Sequence, residues 1–405
     1  MKSKDGQRLF LNFSYLSLLQ IANYILPLIT LPYLARVIGV YYFGIIAIGT
    51  AVVSYFQTIT DYGFNYTSVR DIVRCKNDIN EISKIVSTTI FARIFLMIIS
   101  LVLLFIGFIF IPFLYENRII ILYTFLLIPG YVLFVDWFFQ AMEDMKYITL
   151  FNVLSKFLFT IFVFLVIKED VDYIYQPVLI AAGYFISSIF CLYIMNKKYH
   201  VKIYYPGFDI IISEIVKGFN MFVSIFLPTV YSNINILLLG NIKGANSLGI
   251  YSGGTKFTSI SYNVISLFSR VFYPYLSRRL DMHYIYVIIS FVISVFISLI
   301  LFFGANIIVD VFLGKEFYET VLVLKILAFT PIAMSVMNSY GINFLVLRGK
   351  EKVLRNIVSV TSVVGIFLGV VGAIYYGYIG VAVCTLIIEF LRAFLVFIFA
   401  GKYKL

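Results

Sequence analysis

The chain alternates between long apolar runs and short polar connections, and the runs are close to uniform in length. A helix that spans a bilayer needs roughly 20 mostly apolar residues, and twelve windows meet that condition. They cover approximately 11–35, 43–61, 86–110, 119–138, 148–167, 174–195, 218–239, 247–269, 284–304, 320–343, 356–376 and 379–399. The pattern therefore predicts an all-α integral membrane protein of about twelve transmembrane helices. The first run holds Pro27 and Pro32 and is followed by Arg36. Proline removes a backbone donor and costs roughly 3 kcal/mol in a helix interior, so a bend is expected in that span.

Polar positions inside the runs fall on faces. The second span carries Thr50, Ser54, Gln57, Thr58 and Asp61 at three- and four-residue spacing, and the eighth carries Ser252, Thr255, Lys256, Ser259, Asn263 and Ser266 in the same way. The first adds Asn12, Gln20, Asn23 and Thr30, and the seventh Asn220, Ser224, Pro228, Ser232 and Asn235. Hydrocarbon offers such groups no water, so these faces point at each other or into a wet cavity. Small hydroxyls are equally explained as glue between helices. A lysine in mid-span is not.

Five basic residues lie within spans: Arg93, Lys156, Lys256, Lys325 and Arg392. Each costs roughly 2.5–3.5 kcal/mol at a bilayer centre, so each needs water, a partner or an anionic ligand. Lys156 shares a face with Thr149, Asn152 and Thr160, and with Arg93 and Lys256 forms the candidate cationic cavity. Asn23, Gln57, Asp61, Asn152, Ser252 and Asn263 are candidate polar lining. Lys325 lies near a span end, where it can snorkel. Glu389 and Arg392 are three apart and can pair within one helix; the pair serves either structure or coupling to a proton or sodium ion.

Composition agrees with the pattern: 62% of residues are hydrophobic and 13% charged, which excludes a soluble globule. The net charge of +11 is a topology signal. With the amino terminus in the cytoplasm, 21 basic residues fall in inner connections and five in outer ones. This predicts both termini inside, and nucleic acid is not an expected partner. The apolar run after the basic start reads as an uncleaved first span. Three scattered cysteines and two histidines suggest no disulfide framework, metal or other cofactor. No outer connection is long enough for a catalytic domain, so an enzyme such as a membrane polysaccharide polymerase is not expected.

The chain also repeats itself. GVYYFGIIAIGT (39–50) and GANSLGIYSGGT (244–255) share five of twelve residues at an offset of 205. An offset of six spans preserves orientation, so parallel repeats are expected: an amino-terminal lobe over 1–200, a cytoplasmic linker over 201–217 and a carboxy-terminal lobe over 218–405.

The segments PLITLPYLARVIGVYYFG (27–44), TDYGFN (60–65), VRDIVRCKND (69–78) and DWFFQAMEDMKYITLFNVLSK (136–156) resemble the bacterial Wzx-type flippases of O-antigen and capsule synthesis. NINILLLGNIKGANSLGIYSGGTKF (233–257) and YPYLSRR (273–279) continue the likeness through the second half. The resemblance implies membership of the multidrug, oligosaccharidyl-lipid and polysaccharide exporter superfamily, with two six-helix lobes around a V-shaped central cavity lined by the first two helices of each. It implies movement of an undecaprenyl-pyrophosphate-linked oligosaccharide from the cytoplasmic to the outer leaflet of the bacterial inner membrane by alternating access. Membrane lipid, and polysaccharide polymerase and chain-length machinery, would be the partners. It carries no catalytic residues and no fixed cationic positions, so Arg93, Lys156 and Lys256 rest on the physical argument. A drug exporter or an exporter of another lipid-linked precursor from the same superfamily is the alternative; an exporter of cationic drugs would be expected to place acids, not bases, deep in its spans.

Overall fold

A computed structural model describes residues 2–75, 78–276 and 280–403, and the described residues are helical almost throughout. Helices run α1 (Lys2–Asp61), α2 (Phe64–Arg74), α3 (Ile79–Phe110), α4 (Pro112–Glu116), α5 (Arg118–Phe125), α6 (Leu127–Leu133), α7 (Asp136–Ala141), α8 (Met145–Val166), α9 (Tyr175–Tyr199), α10 (Phe208–Leu276), α11 (His283–Phe312), α12 (Thr320–Leu327), α13 (Thr330–Val336) and α14 (Glu351–Lys402). A π-helical stretch, Met337–Val346, joins α13 to the turn before α14.

Three of these helices are two spans fused across a glycine. Non-helical backbone falls at Gly39 in α1 (φ 68°, ψ 176°), at Gly244 in α10 (φ 80°, ψ 177°) and at Gly377 in α14 (φ 59°, ψ −137°). Positive φ is open to glycine without a Cβ penalty. Dividing these three, and counting α5 to α7 and α12 to the π-helix as one crossing each, restores the twelve predicted spans. Pro27 and Pro32 both lie inside α1, whose backbone stays helical through them and leaves the helical region at Gly39. A proline forfeits one ladder bond, which packed neighbours tolerate; reversing direction needs the left-handed region.

By packing, the chain divides into two compact units, Met1–Ile38 with Ile48–Asn233, and Gly39–Ala47 with Ile234–Leu405. In the first, a core of Trp137, Phe138, Phe139, Phe151, Cys191 and Met195 gathers α7, α8 and α9 against Ile72 of α2 and Val86 and Ile90 of α3. The segment 201–207 is strapped to α3 in this unit. Lys202 N and Tyr204 N donate to Ser83 Oγ and Ser87 Oγ at 3.2 and 3.1 Å. Phe208 then meets Phe95 edge-on, and Ile211 joins Tyr62, Phe64, Ala92 and Leu96 in a second core. In the second unit, α11 packs on α12 and α13, and Phe344, Leu345, Ile357, Val396 and Ala400 form a core between the π-helix and α14.

The repeat is visible at the backbone. Within the second unit, a Cβ on Gly44 would lie 2.0 Å from the carbonyl oxygen of Ala245, and one on Gly249 would lie 2.1 Å from that of Val40. Residues 40 and 245, and 44 and 249, are equivalent at the offset of 205, so the contact is reciprocal. Gly49 presses on Ile120 and Thr124 of α5 in its unit, as its equivalent Gly254 presses on Val323 and Leu324 of α12 in the other.

Candidate functional site

Most hydroxyls of the polar faces are satisfied locally. Ser54, Thr58, Thr255 and Ser259 donate to carbonyls three or four residues earlier in their own helices, which is the packing reading of such residues. The side chains of Asn12, Asn220, Ser224, Pro228 and Ser232, and the basic residues Lys76, Arg278, Arg279 and Lys404, lie outside those described.

The remaining polar groups separate into four places. In the first unit, Lys156 of α8 donates to Asn23 Oδ1 at 2.5 Å, and two turns earlier Thr149 donates to the Tyr15 carbonyl at 2.8 Å. Two contacts in register at offsets of 133 and 134 mean that α8 runs alongside the start of α1. Lys156 and Asn23 are both half-buried, and the amide brings the ammonium no negative charge. Asn152, on the same face, donates to the Ile148 carbonyl.

In the second unit, Lys256, Ser259 and Asn263 of α10 are exposed at three- and four-residue spacing along a single face. Lys256 has no hydrogen-bond or ion-pair partner among the described residues. Ser252, one turn before it, is buried, and its Oγ is likewise without a partner among them.

Glu389 and Arg392 do pair: Arg392 Nη1 donates to Glu389 Oε1 at 2.9 Å and its Nε to Thr361 Oγ1 at 3.2 Å. Both side chains are nearly buried, 13% and 11% exposed.

Arg93 is where expectation and structure part. It was expected to offer its charge to a cavity, yet it is 1% exposed and held by the protein. Its Nη2 donates to Asn65 Oδ1 at 2.6 Å and lies 3.5 Å from Asp61 Oδ1, while its guanidinium carbon stands 5.7 Å from the centroid of the Trp137 ring. Asp136 is within electrostatic reach of both Arg93 and Asp61, and Gln57, one turn before Asp61, is half-buried. The positions that assemble this cluster, Asp61 with Asn65 and Asp136 with Trp137, are the second and last residues of TDYGFN and the first two of DWFFQ. Asn65 and Trp137 were not among the candidate site residues, although both lie in those motifs.

The fold and its charges can be compared with known proteins. A family model described as polysaccharide biosynthesis protein matches residues 9–280. The chain belongs to this family. A protein of Escherichia coli (strain K12) named "Putative O-antigen transporter" is 26% identical over 403 residues, covering 97% of both chains. A protein of the same name from Shigella dysenteriae is 28% identical over 390 residues, covering 94% of this chain and 97% of that one. Among solved structures, the lipid II flippase MurJ in an inward closed conformation superposes with a TM-score of 0.73 at 17% identity, over 95% of this chain and 87% of that one. A multidrug resistance MATE family transporter of the MOP superfamily, in its inward-facing conformation, gives 0.71 at 14% identity, over 93% and 94%. The polysaccharide biosynthesis protein described here is thus a multi-pass membrane protein with the fold shared by these transporters.

Proposed function

We propose that this chain is a flippase that moves an undecaprenyl-pyrophosphate-linked oligosaccharide, an O-antigen or capsule repeat unit, from the cytoplasmic to the outer leaflet by alternating access. The observation that carries the reading is Lys256, a mid-span cation with an exposed side chain and no counter-charge among the described residues. A lysine kept open at a cost of roughly 2.5–3.5 kcal/mol is explained by an anionic ligand. Lys156, bonded only to a neutral amide, supports the same reading within the first unit, and a pyrophosphate is the group of such a lipid-linked sugar that an ammonium would recognise. Half-buried Asn152 and Asn23 and exposed Ser259 and Asn263 supply donors and acceptors suited to sugar hydroxyls. Arg93 does not serve as a ligand group in this proposal. The lobes are assigned to 1–200 and 218–405, with 201–217 joining them and both termini in the cytoplasm.

The names of the curated relatives support the pathway, and the fold shared with a lipid II flippase supports lipid-linked cargo. The test is a leaflet assay in sealed liposomes holding the purified protein and an undecaprenyl-pyrophosphate oligosaccharide, with the sugar probed from outside. Protein-dependent appearance of the sugar, lost in Lys256→Gln, is expected. No movement of that lipid, together with export of a cationic amphiphile, would replace this reading with a drug exporter.

A further inference from the structure

The turn after the π-helix gathers basic side chains at one end of the second unit. Gly349 (φ 70°) lies in the left-handed region, where it carries no Cβ strain, and the chain folds back there. Arg348 N donates to the Phe344 carbonyl at 3.1 Å and Lys350 N to the Leu345 carbonyl at 2.8 Å. The residues on either side of the glycine then meet the end of α14. Arg348 Nη1 donates to the Tyr403 carbonyl at 2.6 Å, and Lys350 Nζ stands 4.9 Å from the centroid of the Tyr403 ring. Arg348 also lies over Phe344 at 4.2 Å, and Lys402 over Phe399 at 4.8 Å. Lys352 and Arg355 follow on the first turns of α14, both exposed.

Ring faces attract these cations without cancelling their charge. Lys350, Lys352, Arg355 and Lys402 form no ion pair with a described residue, although Glu351 is their neighbour in sequence. In the first unit, the basic residues that the proposed orientation puts on the same side of the membrane are arranged differently. Arg70, Arg74, Lys84, Lys198 and Lys217 each lie within 4.0 Å of a carboxylate, from Asp71, Glu81, Asp144 or Glu214. Basic residues orient a membrane protein whether or not they are paired, since acids count for little in that rule, so orientation does not account for the difference. The first unit cancels much of its positive field locally, and the second leaves its own to act outward. The level of that field is also set: Phe344 belongs to the core between the π-helix and α14, and Phe399 packs against it. Cations held over these rings sit where the crossing helices end, which is the level of lipid headgroups.

We propose that Arg348, Lys350, Lys352, Arg355 and Lys402, grouped around Tyr403, form a binding surface for anionic phospholipid, whose headgroup phosphate they receive. Lys350, Lys352, Arg355 and Lys402 supply the charge and the N–H donors. Arg348 fixes the end of α14 through the Tyr403 carbonyl, and the Tyr403 ring positions Lys350. Clusters of about four to eight lysines and arginines just beyond a transmembrane helix attract anionic lipid in this way, and tyrosine is a residue of the membrane–water interface. Cations that fringe helix ends at headgroup level suit a lipid surface better than an acidic protein. The surface is independent of the flippase reading, because neither its formation nor its test involves a transported substrate.

Native mass spectrometry of the full-length protein in detergent counts bound lipid directly. Titrated with phosphatidylglycerol or with phosphatidylcholine of the same chains, the wild type is expected to hold the anionic lipid more than about tenfold more tightly, each cation contributing about fivefold. The variant Lys350→Gln/Lys352→Gln/Arg355→Gln/Lys402→Gln should lose that preference. Lys84→Gln/Lys198→Gln/Lys217→Gln, which removes paired lysines of the first unit, should keep it. No preference in the wild type, or one that the fourfold variant retains, overturns the proposal. A preference lost equally in the first-unit variant overturns it too, because binding then follows net charge and not this surface. Binding of poly-glutamate that the fourfold variant loses, with no preference between the lipids, would give the surface to an acidic protein segment instead. Should the fourfold variant fail to fold, Lys352→Gln/Arg355→Gln, which alters two exposed side chains only, decides: phosphatidylglycerol binding as tight as in the wild type refutes the assignment.

Discussion

Lys156 donates to an amide and Lys256 to no described residue, so neither lysine is neutralised within its unit. Replacing either by glutamine removes a charged donor worth about 1.5–3 kcal/mol to an anionic ligand. The expected outcome is a loss of transport of the pyrophosphate-linked substrate on the order of tenfold to a hundredfold, with thermal unfolding in detergent unchanged. Arg392 behaves in the opposite way. Because it is tied to Glu389 and Thr361, Arg392→Gln strands a nearly buried carboxylate, a change of about 3–5 kcal/mol. A lowered melting temperature is expected, with Arg392→Gln/Glu389→Gln together recovering much of the loss; a single variant that melts like the wild type would show that the pair contributes nothing to the fold. The pair was legible in sequence because it lies within one helix, where a spacing of three settles proximity. The contact of Arg93 with Asp61 was not legible, since it joins separate helices 32 positions apart, and helical spacing carries no information across a turn. Both residues were singled out, but which would bury the other depended on the turn at Gly63 (φ 84°) that brings Asn65 back to the guanidinium.

At the scale of elements, hydropathy gave all twelve crossings, and the turns inside the fused helices fall at glycine, not at proline. α1 passes through Pro27 and Pro32 and breaks at Gly39; α10 breaks at the equivalent Gly244. The reason is that direction is reversed by a residue that can adopt positive φ, whereas a missing ladder bond only softens a helix. The crossing beyond each break depends on glycine in a second sense, that of space. With carbonyl oxygens 2.0 and 2.1 Å from any added Cβ, Gly44→Ala or Gly249→Ala must force the backbones apart. Overpacking of this kind costs about 1–3 kcal/mol, so each variant is expected to melt at lower temperature, and equally so if the contact is reciprocal. Gly401→Ala, where no atom lies within 4 Å, should be neutral and serves as the reference.

At the scale of the whole chain, the packing units do not coincide with the halves of the sequence. Gly39–Ala47, from the expected amino-terminal lobe, packs with the second unit, while residues 218–233, which begin the expected carboxy-terminal lobe, pack with the first. The repeat motif revealed a duplication and its offset, but an offset says nothing of which copy's segment lies against which. Charge placement decides a different global property, the side on which each connection lies. With the amino terminus in the cytoplasm, as proposed, the inner connections would hold 21 basic residues against five outside, an excess of the kind that retains loops in the cytoplasm. With Cys75, Cys191 and Cys384 replaced by serine, single cysteines at Glu116, Asp170 and Lys315 should react in intact cells with a thiol reagent that cannot cross the inner membrane. Cysteines at Lys146, Lys350 and Lys402 should react only after that membrane is opened. If the two sets exchange behaviour, the orientation is inverted, and the lysines proposed to receive a lipid pyrophosphate from the cytoplasmic leaflet would have to receive it from the other side. If one residue within a set disagrees with its companions, the number of crossings between them is odd where the fused helices imply even, and the division of α10 or α14 at its glycine would need redrawing.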